Sequence, residues 1–321
     1  MRRLAVAALF AISAFAGQAL AQSFPERTIT LINPYAAGGP ADLLARAVAD
    51  GMSETLGRPV VVENRPGAGT AIGARAAAQA NPDGYTLFLG GSPSHVITPA
   101  LMKDANYDGI KDFTPITTVA NVPNMLVVPP GRPYKSVKEL VAAAKEANGK
   151  MTFASIGVGS IPQFLGVLFQ LRAGVTLVDV PYKGAVPAAV DLIGGRIDMA
   201  FLNVPAVLPQ VQSGQLRALA IADATRAKAL PDTPTMADAG YPSVAMSTWY
   251  GISAPAKTPR AVVDKLYAAI AQTLNSPKAR EKIEAQGAEV FVKTPDDYAA
   301  YLQADAKLML ELIKAAHLTA N

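Results

Sequence analysis

The tightest constraint on this chain is a unit that occurs twice: a short β-branched run, then a glycine-bearing loop, then an apolar-periodic segment. Arg27–Ile32 ("RTITLI") leads through "NPYAAGGPADLLAR" (Asn33–Arg46) into a segment predicted to be helical from Pro40 to Leu56. Lys150–Ser155 ("KMTFAS") leads in the same way through "IGVGSIPQFLGVLFQLR" (Ile156–Arg172). A strand that turns into a helix through glycines is the opening of a βαβ unit, so two of them predict two α/β lobes.

The intervening sequence keeps the alternation. Arg58–Asn64, Tyr85–Gly90, Asn124–Pro130, Val175–Tyr182, Arg196–Phe201, Gln215–Ala222 and Ser247–Ala256 read as strands, short and bounded by Gly or Pro. Thr70–Gln79, Ser136–Asn148 and Ala185–Ile193 have helical spacing, with Ser136 as an N-cap. Val262, Val263, Leu266, Ile270 and Leu274 form one apolar stripe, and Pro295–Ala316 forms a second amphipathic helix. The expected class is α/β with mostly parallel sheets. Two stretches rich in chain-bending residues, Leu87–Asn124 and Leu230–Tyr241, mark candidate crossings. The expected division is residues 22–123 with 248–321 in the first lobe and 124–247 in the second.

Residues 1–21 read as a leader outside the fold. Arg2 and Arg3 precede an apolar stretch from Leu4 to Ala16, and Ala19-x-Ala21 supplies small residues for cleavage, placing the mature start at Gln22. The apolar run is too short to span a bilayer comfortably. Export to the periplasm follows as the expected localisation. Removing Arg2 and Arg3 takes the 29 basic side chains to 27, against 25 acidic, so the mature chain is near neutral. It has no cluster of basic residues interleaved with aromatics, which speaks against nucleic acid as a partner. The absence of cysteine excludes disulfides, thiolate metal sites and a cysteine nucleophile.

Ligands of open α/β sheets bind beyond the carboxyl ends of the strands. There, Gly38 and Gly39 expose backbone N–H groups next to Tyr35 and Ala37, and Pro40 opens a helix whose positive end faces the loop. Asp42, in the first helical turn, either touches ligand or complements the helix dipole. Ser155, Gly157, Gly159 and Ser160 repeat the arrangement in the second lobe, with Ser160 also readable as an N-cap. Two such loops facing each other would grip a carboxylate with backbone donors. A third loop, "NRPGAGTAIGA" (Asn64–Ala74), departs from the dinucleotide fingerprint by one position and is read as a tight turn. "GGSPSHVITP" (Gly90–Pro99) places Ser92, Ser94 and His95 at the end of the third strand, where Ser92 and His95 are candidate wall residues.

Catalysis finds little support. There is no G-x-x-x-x-G-K-[ST] and no G-x-S-x-G, and the two histidines are His95 and His317. No metal or cofactor is expected. An exported hydrolase or lyase using Ser92, Ser94 and His95 stands as the competing reading, and predicts turnover that His95→Ala abolishes.

"YAAGGPADLLAR", "VVVENRPGAGTAIGA", "NPDGYTLFLG", "VPYKG", "LIGGRIDMAF" and "GQLRALA" occur in one order along nearly the whole mature chain. Together they resemble the tripartite tricarboxylate transporter substrate-binding proteins, the Bug or TctC-like family. The resemblance implies a type II periplasmic-binding-protein fold with a ligand cleft between the lobes, a small carboxylate ligand, and a membrane permease or sensor as partner. The protein is expected to be a monomer. In that family the loops matched by Ala36–Asp42 and Ser155–Ser160 meet the ligand from opposite sides. The family often carries a His in the helix after the second loop, where this chain has Ile161-Pro162-Gln163-Phe164, and an Asp where it has Leu202 between Phe201 and Asn203. A less polar second lobe implies an aromatic or simple aliphatic carboxylate rather than an amino acid, whose ammonium group would want an acidic partner. Asn203 is a further candidate contact, Lys183 of "VPYKG" is either a partner for a second carboxylate or a solvated charge, and Trp249 and Tyr250 read either as core or hinge residues or as cleft lining.

Overall fold

The computed structural model describes residues 24–156, 159–182, 184–285 and 287–315. The expected leader, with cleavage after Ala21, lies outside the described residues, as do Gly157, Lys183 and His317. The chain runs β1 (Ile29–Asn33), α1 (Pro40–Leu56), β2 (Val60–Asn64), a 3₁₀ turn (Ala68–Thr70), α2 (Ala71–Ala78), β3 (Thr86–Gly90), a π turn (Pro93–Ile97), α3 (Thr98–Leu101) and β4 (Phe113–Val122). It continues with β5 (Asn124–Val128), α4 (Val137–Glu146), β6 (Thr152–Ser155), α5 (Ile161–Ala173), β7 (Val178–Pro181), α6 (Ala185–Ile193), β8 (Met199–Asn203), α7 (Val204–Gln212) and β9 (Arg217–Ile221). The last elements are β10 (Thr248–Pro255), α8 (Arg260–Asn275), α9 (Pro277–Glu284), β11 (Glu289–Val290) and α10 (Pro295–Ala315).

Among the described residues the strands form two sheets, ordered β11-β4-β10-β3-β1-β2 and β7-β6-β8-β5-β9. Both are mixed, which corrects the mostly parallel expectation. β1 pairs in parallel with β2 and β3, while β10 is antiparallel to β3 and β4. β6 is parallel to β7 and β8, while β5 is antiparallel to β8 and β9. The parallel pairs are the ones built by helical crossovers. β5 and β10 are entered directly from the other sheet, so no crossover fixes their direction.

Period-two burial explains why both faces of the first sheet are covered. Ile29, Leu31, Leu87 and Leu89 point to the α1 side and join Leu44, Val48 and Met52, whereas Ile32 and Phe88 point to the other side and meet Ala74 and Ala77 of α2. α1 starts with Pro40 and stops at Gly57, whose left-handed φ of 65° lets its N–H reach the Ser53 carbonyl at 3.1 Å. In the second sheet, Phe153 faces α5 and Ala154 faces α6. Ser136 caps α4 by accepting from the Glu139 N–H at 3.2 Å.

The stretch Leu87–Asn124 holds more structure than a crossing, namely the π turn, α3 and the ten-residue β4. Of its four prolines, Pro93 starts the π turn and Pro99 lies in the first turn of α3, while Pro115 sits within β4 and Pro123 follows it. The chain passes between the sheets at Pro123 and returns just before Thr248. Leu230–Tyr241 packs back on β9, with the Met236 N–H donating to the Ile221 carbonyl at 2.8 Å. Tyr298, Leu302, Ala306 and Met309 of α10 share one apolar cluster with Trp249 and with Phe153 and Phe169 of the second sheet's side.

Candidate functional site

A cleft of about 1390 Å³ opens between the two sheets. Four helices present their first turns to it: α1 with Pro40, α5 with Ile161 and Pro162 behind the N-cap Ser160, α6 with Ala185 and Val186, and α7 with Pro205 and Ala206. Proline occupies one of the first two positions in α1, α5 and α7, where the N–H it lacks has no helical partner to lose. The positive ends of four helix dipoles therefore converge on one space. The charged side chains on the lining are Lys103 and Asp104, both exposed, so nothing charged among the described residues lies deep in the cleft.

Of the residues singled out from sequence, Tyr35, Gly159, Ser160 and Asn203 are on the lining. Tyr35 meets the ring of Tyr250 edge-on, centroids 5.9 Å apart, and the two form an aromatic wall. Burial raises the hydroxyl of Tyr35 well above its usual range, with Tyr250 and Tyr107 adding to the effect, and burial takes that of Tyr250 to about 12. Both are neutral hydroxyls at physiological pH.

The loop after β1 is held from behind by Asp42. This carboxylate is 3% exposed and accepts from the Gly38 N–H at 2.9 Å, the Arg46 Nε at 3.0 Å and the Asn64 Nδ2 at 2.9 Å. Burial alone would raise its pKa, but those donors outweigh it and hold it at about 2. Asp42 thus does more than complement a helix dipole, and it takes the Gly38 N–H that the sequence offered to a ligand. Ala37, Gly38 and Gly39 lie in the same loop but not on the lining, where Tyr35 and Pro40 stand for it. The second loop has a parallel device. The Gly159 N–H donates to Gln163 Oε1 at 2.9 Å, Ser160 Oγ accepts from the Gln163 N–H at 3.3 Å, and Gln163 Nε2 reaches Asp179 at 2.9 Å. Ser155 is wholly buried at the end of β6, its hydroxyl unpartnered, directly behind the lining residue Ile156.

Ser92, Ser94 and His95 stand away from the cleft, each at or below 1% exposure. Ser92 Oγ donates to Asp305 at 2.8 Å, Ser94 Oγ donates to the Gly91 carbonyl at 3.1 Å, and His95 Nδ1 meets the Gly109 carbonyl at 2.6 Å. No hydrogen bond joins the imidazole to either serine among the described residues. Burial lowers His95 to a pKa of about 4, partly offset by the Gly109 bond, so the ring is neutral and Nδ1 is the donor. It stacks on Trp249 at 6.2 Å, and Trp249 is 1% exposed. Leu202 is wholly buried among Ala188, Ala189 and Val207, so the position where the family often has Asp belongs to the core in this chain and not to the cleft.

Several lining residues escaped the sequence reading. Ala68, Gly69 and Thr70 come from the loop read as a tight turn, and all three have left-handed φ, at 47°, 59° and 86°. Non-glycine residues in that region cost energy, and such strain gathers at ligand sites, a signal visible only in the backbone. Thr98 Oγ1 donates to the Gly69 carbonyl and ties this loop to α3. Ile97, Leu101 and Met102 come from the stretch read as a crossing, and Pro205 and Ala206 from α7, whose prolines hid it. Thr248 enters at the return crossing, two residues before Tyr250, whose place on the lining is one of the two readings its sequence allows.

Residues 44–318 match the profile of the tripartite tricarboxylate transporter family receptor. The chain is 39% identical over 303 residues to protein BugT of Bordetella pertussis, covering 94% of this chain and 93% of that one. A Rhodopseudomonas palustris protein solved with adipate is 33% identical, with a TM-score of 0.82 over 92% of this chain and 99% of its own. MatC of Rhodopseudomonas palustris, solved with bound malate, is 31% identical, with a TM-score of 0.77 over 90% of this chain and 100% of its own. The fold is the two-lobed α/β fold of periplasmic binding proteins.

Proposed function

The chain belongs to the tripartite tricarboxylate transporter receptor family, and on that premise we propose that it is a periplasmic solute-binding protein that captures a small carboxylate and delivers it to a membrane permease. The observation that carries the ligand class is the convergence of four helix first turns on a cleft whose interior lining bears no charged side chain among the described residues. Helix N-termini stabilise an anion through backbone N–H groups and dipoles, with no formal counter-charge needed. The relatives solved with adipate and with malate support the same class.

The body of the ligand is aromatic or aliphatic. Ile97, Leu101, Val122, Ile156, Ile161 and Val186 supply apolar surface between the polar ends, and among the described residues no acidic group stands inside to receive an ammonium. A volume of about 1390 Å³ exceeds the ~300–1,000 Å³ of ordinary small-molecule pockets. The lobes therefore close on the ligand, and binding shifts an open–closed equilibrium. Tyr35, Gly159, Ser160 and Asn203 contact the ligand. Ala37, Gly38, Gly39 and Asp42 shape the first loop. Ser155 shapes the second.

The test is a thermal-shift screen of residues 22–321, unfolded and refolded to remove any carried ligand, against mono-, di- and tricarboxylates, aromatic acids and amino acids. A carboxylate that raises the melting temperature with concentration, by mass action, supports the reading. A panel in which only amino acids stabilise, or nothing does, overturns it.

A further inference from the structure

The floor of the cleft carries a hydrogen-bond relay whose directions can be assigned atom by atom. The Met246 carbonyl can only accept, and it receives Asn124 Nδ2 at 3.0 Å. That fixes the Asn124 amide, leaving its Oδ1 as an acceptor, which receives Asn203 Nδ2 at 3.0 Å. The second hydrogen of Asn203 Nδ2 goes to Thr248 Oγ1, also at 3.0 Å. Both hydrogens of the Asn203 amide are then spent, and its Oδ1 points away from them with no partner among the described residues. Asn203 is on the cleft lining, and its Oδ1 is not among the buried unpaired atoms, so this acceptor is open to the cleft.

Thr248 is on the lining as well. Its oxygen accepts from Asn203, and at 3.5 Å from Asn124, so its one hydrogen is left to donate elsewhere. One acceptor and one donor thus flank the Asn203 nitrogen on a wall without charge among the described residues. A carboxylate does not fit there, because it offers acceptors only and would face Asn203 Oδ1. An ammonium does not fit either, because it has nothing to accept the Thr248 hydrogen. A hydroxyl both donates and accepts through a single oxygen.

We infer that the Asn203–Thr248 pair recognises a hydroxyl on the ligand, so that the substrate class is a hydroxylated carboxylate, its carboxyl group at the helix first turns and its hydroxyl on the cleft floor. This deepens the proposed function and rests on it. It also makes Asn203 and Thr248 specificity-determining residues. A bound hydroxyl would be bonded directly to Thr248, which begins β10, and through Asn203 to Asn124, which begins β5. These are the two strands entered straight from the opposite sheet.

The experiment is calorimetric titration of the refolded mature chain with matched pairs: malate and succinate, 3-hydroxyadipate and adipate, and 3- or 4-hydroxybenzoate and benzoate. In the pair that binds, the hydroxylated acid should be at least about tenfold tighter, because a site that offers paired donor and acceptor rejects the analogue lacking them. Asn203→Ala and Thr248→Val should bring that ratio towards one, whatever affinity the two acids lose in common. A purely structural role for the relay would weaken both acids and leave the ratio unmoved. Equal affinity for both members in the wild type overturns the inference and leaves the carboxylate reading standing, as does a preference that survives in both variants. If no acid of any pair binds, the carboxylate reading falls and the hydroxyl inference with it.

Discussion

The Ser92 hydroxyl donates to the Asp305 carboxylate at 2.8 Å, joining the loop after β3 to the terminal helix across 213 positions of sequence. Burial raises Asp305 to a pKa of about 6, with the Ser92 hydroxyl and the Trp249 indole offsetting part of the rise. A carboxyl whose folded pKa lies above its unfolded value of 3.8 stabilises at low pH and loses that stability as pH rises from about 4 to about 6. His95 behaves oppositely. Its folded pKa of about 4 lies below 6.5, so its contribution is lost as pH falls from about 6.5 to about 4. The two slopes oppose each other in the wild type. Asp305→Asn keeps an acceptor for Ser92 without the buried charge. It should melt about 2–5 °C above wild type at pH 7.5, match it near pH 4, and show a steeper acid loss between. Melting curves from pH 4 to 8 check this, and a variant less stable at pH 7.5 would refute the account of Asp305.

His95 is held by its neighbours more than by catalytic need. A methyl group at Gly109 would overlap the backbone carbonyl of His95, which cannot swing aside as a side chain would. Gly109→Ala should therefore cost at least about 2 kcal/mol in urea unfolding, as overpacking does. A cost under about 0.5 kcal/mol, the range of neutral surface changes, would mean that this segment is free to move.

How much of this was legible in the sequence follows from which forces act locally. α1 and α6 begin and end where the spacing placed them, because Pro40, Gly57 and the apolar period are all local signals. β4 and α7 were not legible. β4 is read through threonines and a proline that pair only with β10, a strand that begins 135 residues after β4 begins, and α7 carries Pro205 and Pro209 inside nine residues. The site divided along the same line. Glycine loops that open helices were visible, whereas the left-handed Ala68–Thr70 loop and the Asn203–Thr248 pair depend on long-range contacts. Ser92 and His95 show the reverse error: polar residues beside a strand end look like a ligand wall until their partners, Asp305 and Gly109, are in place.

The two glycines of the first loop should separate stability from binding. Gly38 has φ of 79° with nothing near an added Cβ, so Gly38→Ala is unfavourable only through the backbone, by about 1 kcal/mol. Gly39 has φ of −81°, and an added Cβ there would sit at an ordinary 3.6 Å from the Ala36 carbonyl. Gly39→Val should therefore melt within about 2 °C of wild type, since changes away from the core fall within roughly 0.5 kcal/mol. Its affinity for the carboxylate found in the screen should drop at least about tenfold, because the side chain narrows the approach to the first turn of α1. Unchanged affinity would remove this loop from the site.

Salt dependence tests the neutral lining directly. Formal charges on the two partners are screened by salt, with a Debye length near 10 Å at 0.1 M, whereas short hydrogen bonds to backbone N–H groups are much less affected. With Lys103 and Asp104 at the exposed rim and no charged side chain deep in the cleft among the described residues, carboxylate affinity should change less than about threefold between 20 and 500 mM NaCl. Lys183 lies outside the described residues, in the loop after β7 that precedes α6, and α6 lines the cleft with Ala185 and Val186. It supplies the sharpest alternative. A steep loss of affinity with salt that Lys183→Ala removes would place a lysine on the ligand carboxylate and displace the helix dipoles as its main counterpart. A flat profile that Lys183→Ala leaves flat, with affinity unchanged, would make Lys183 a solvated loop charge.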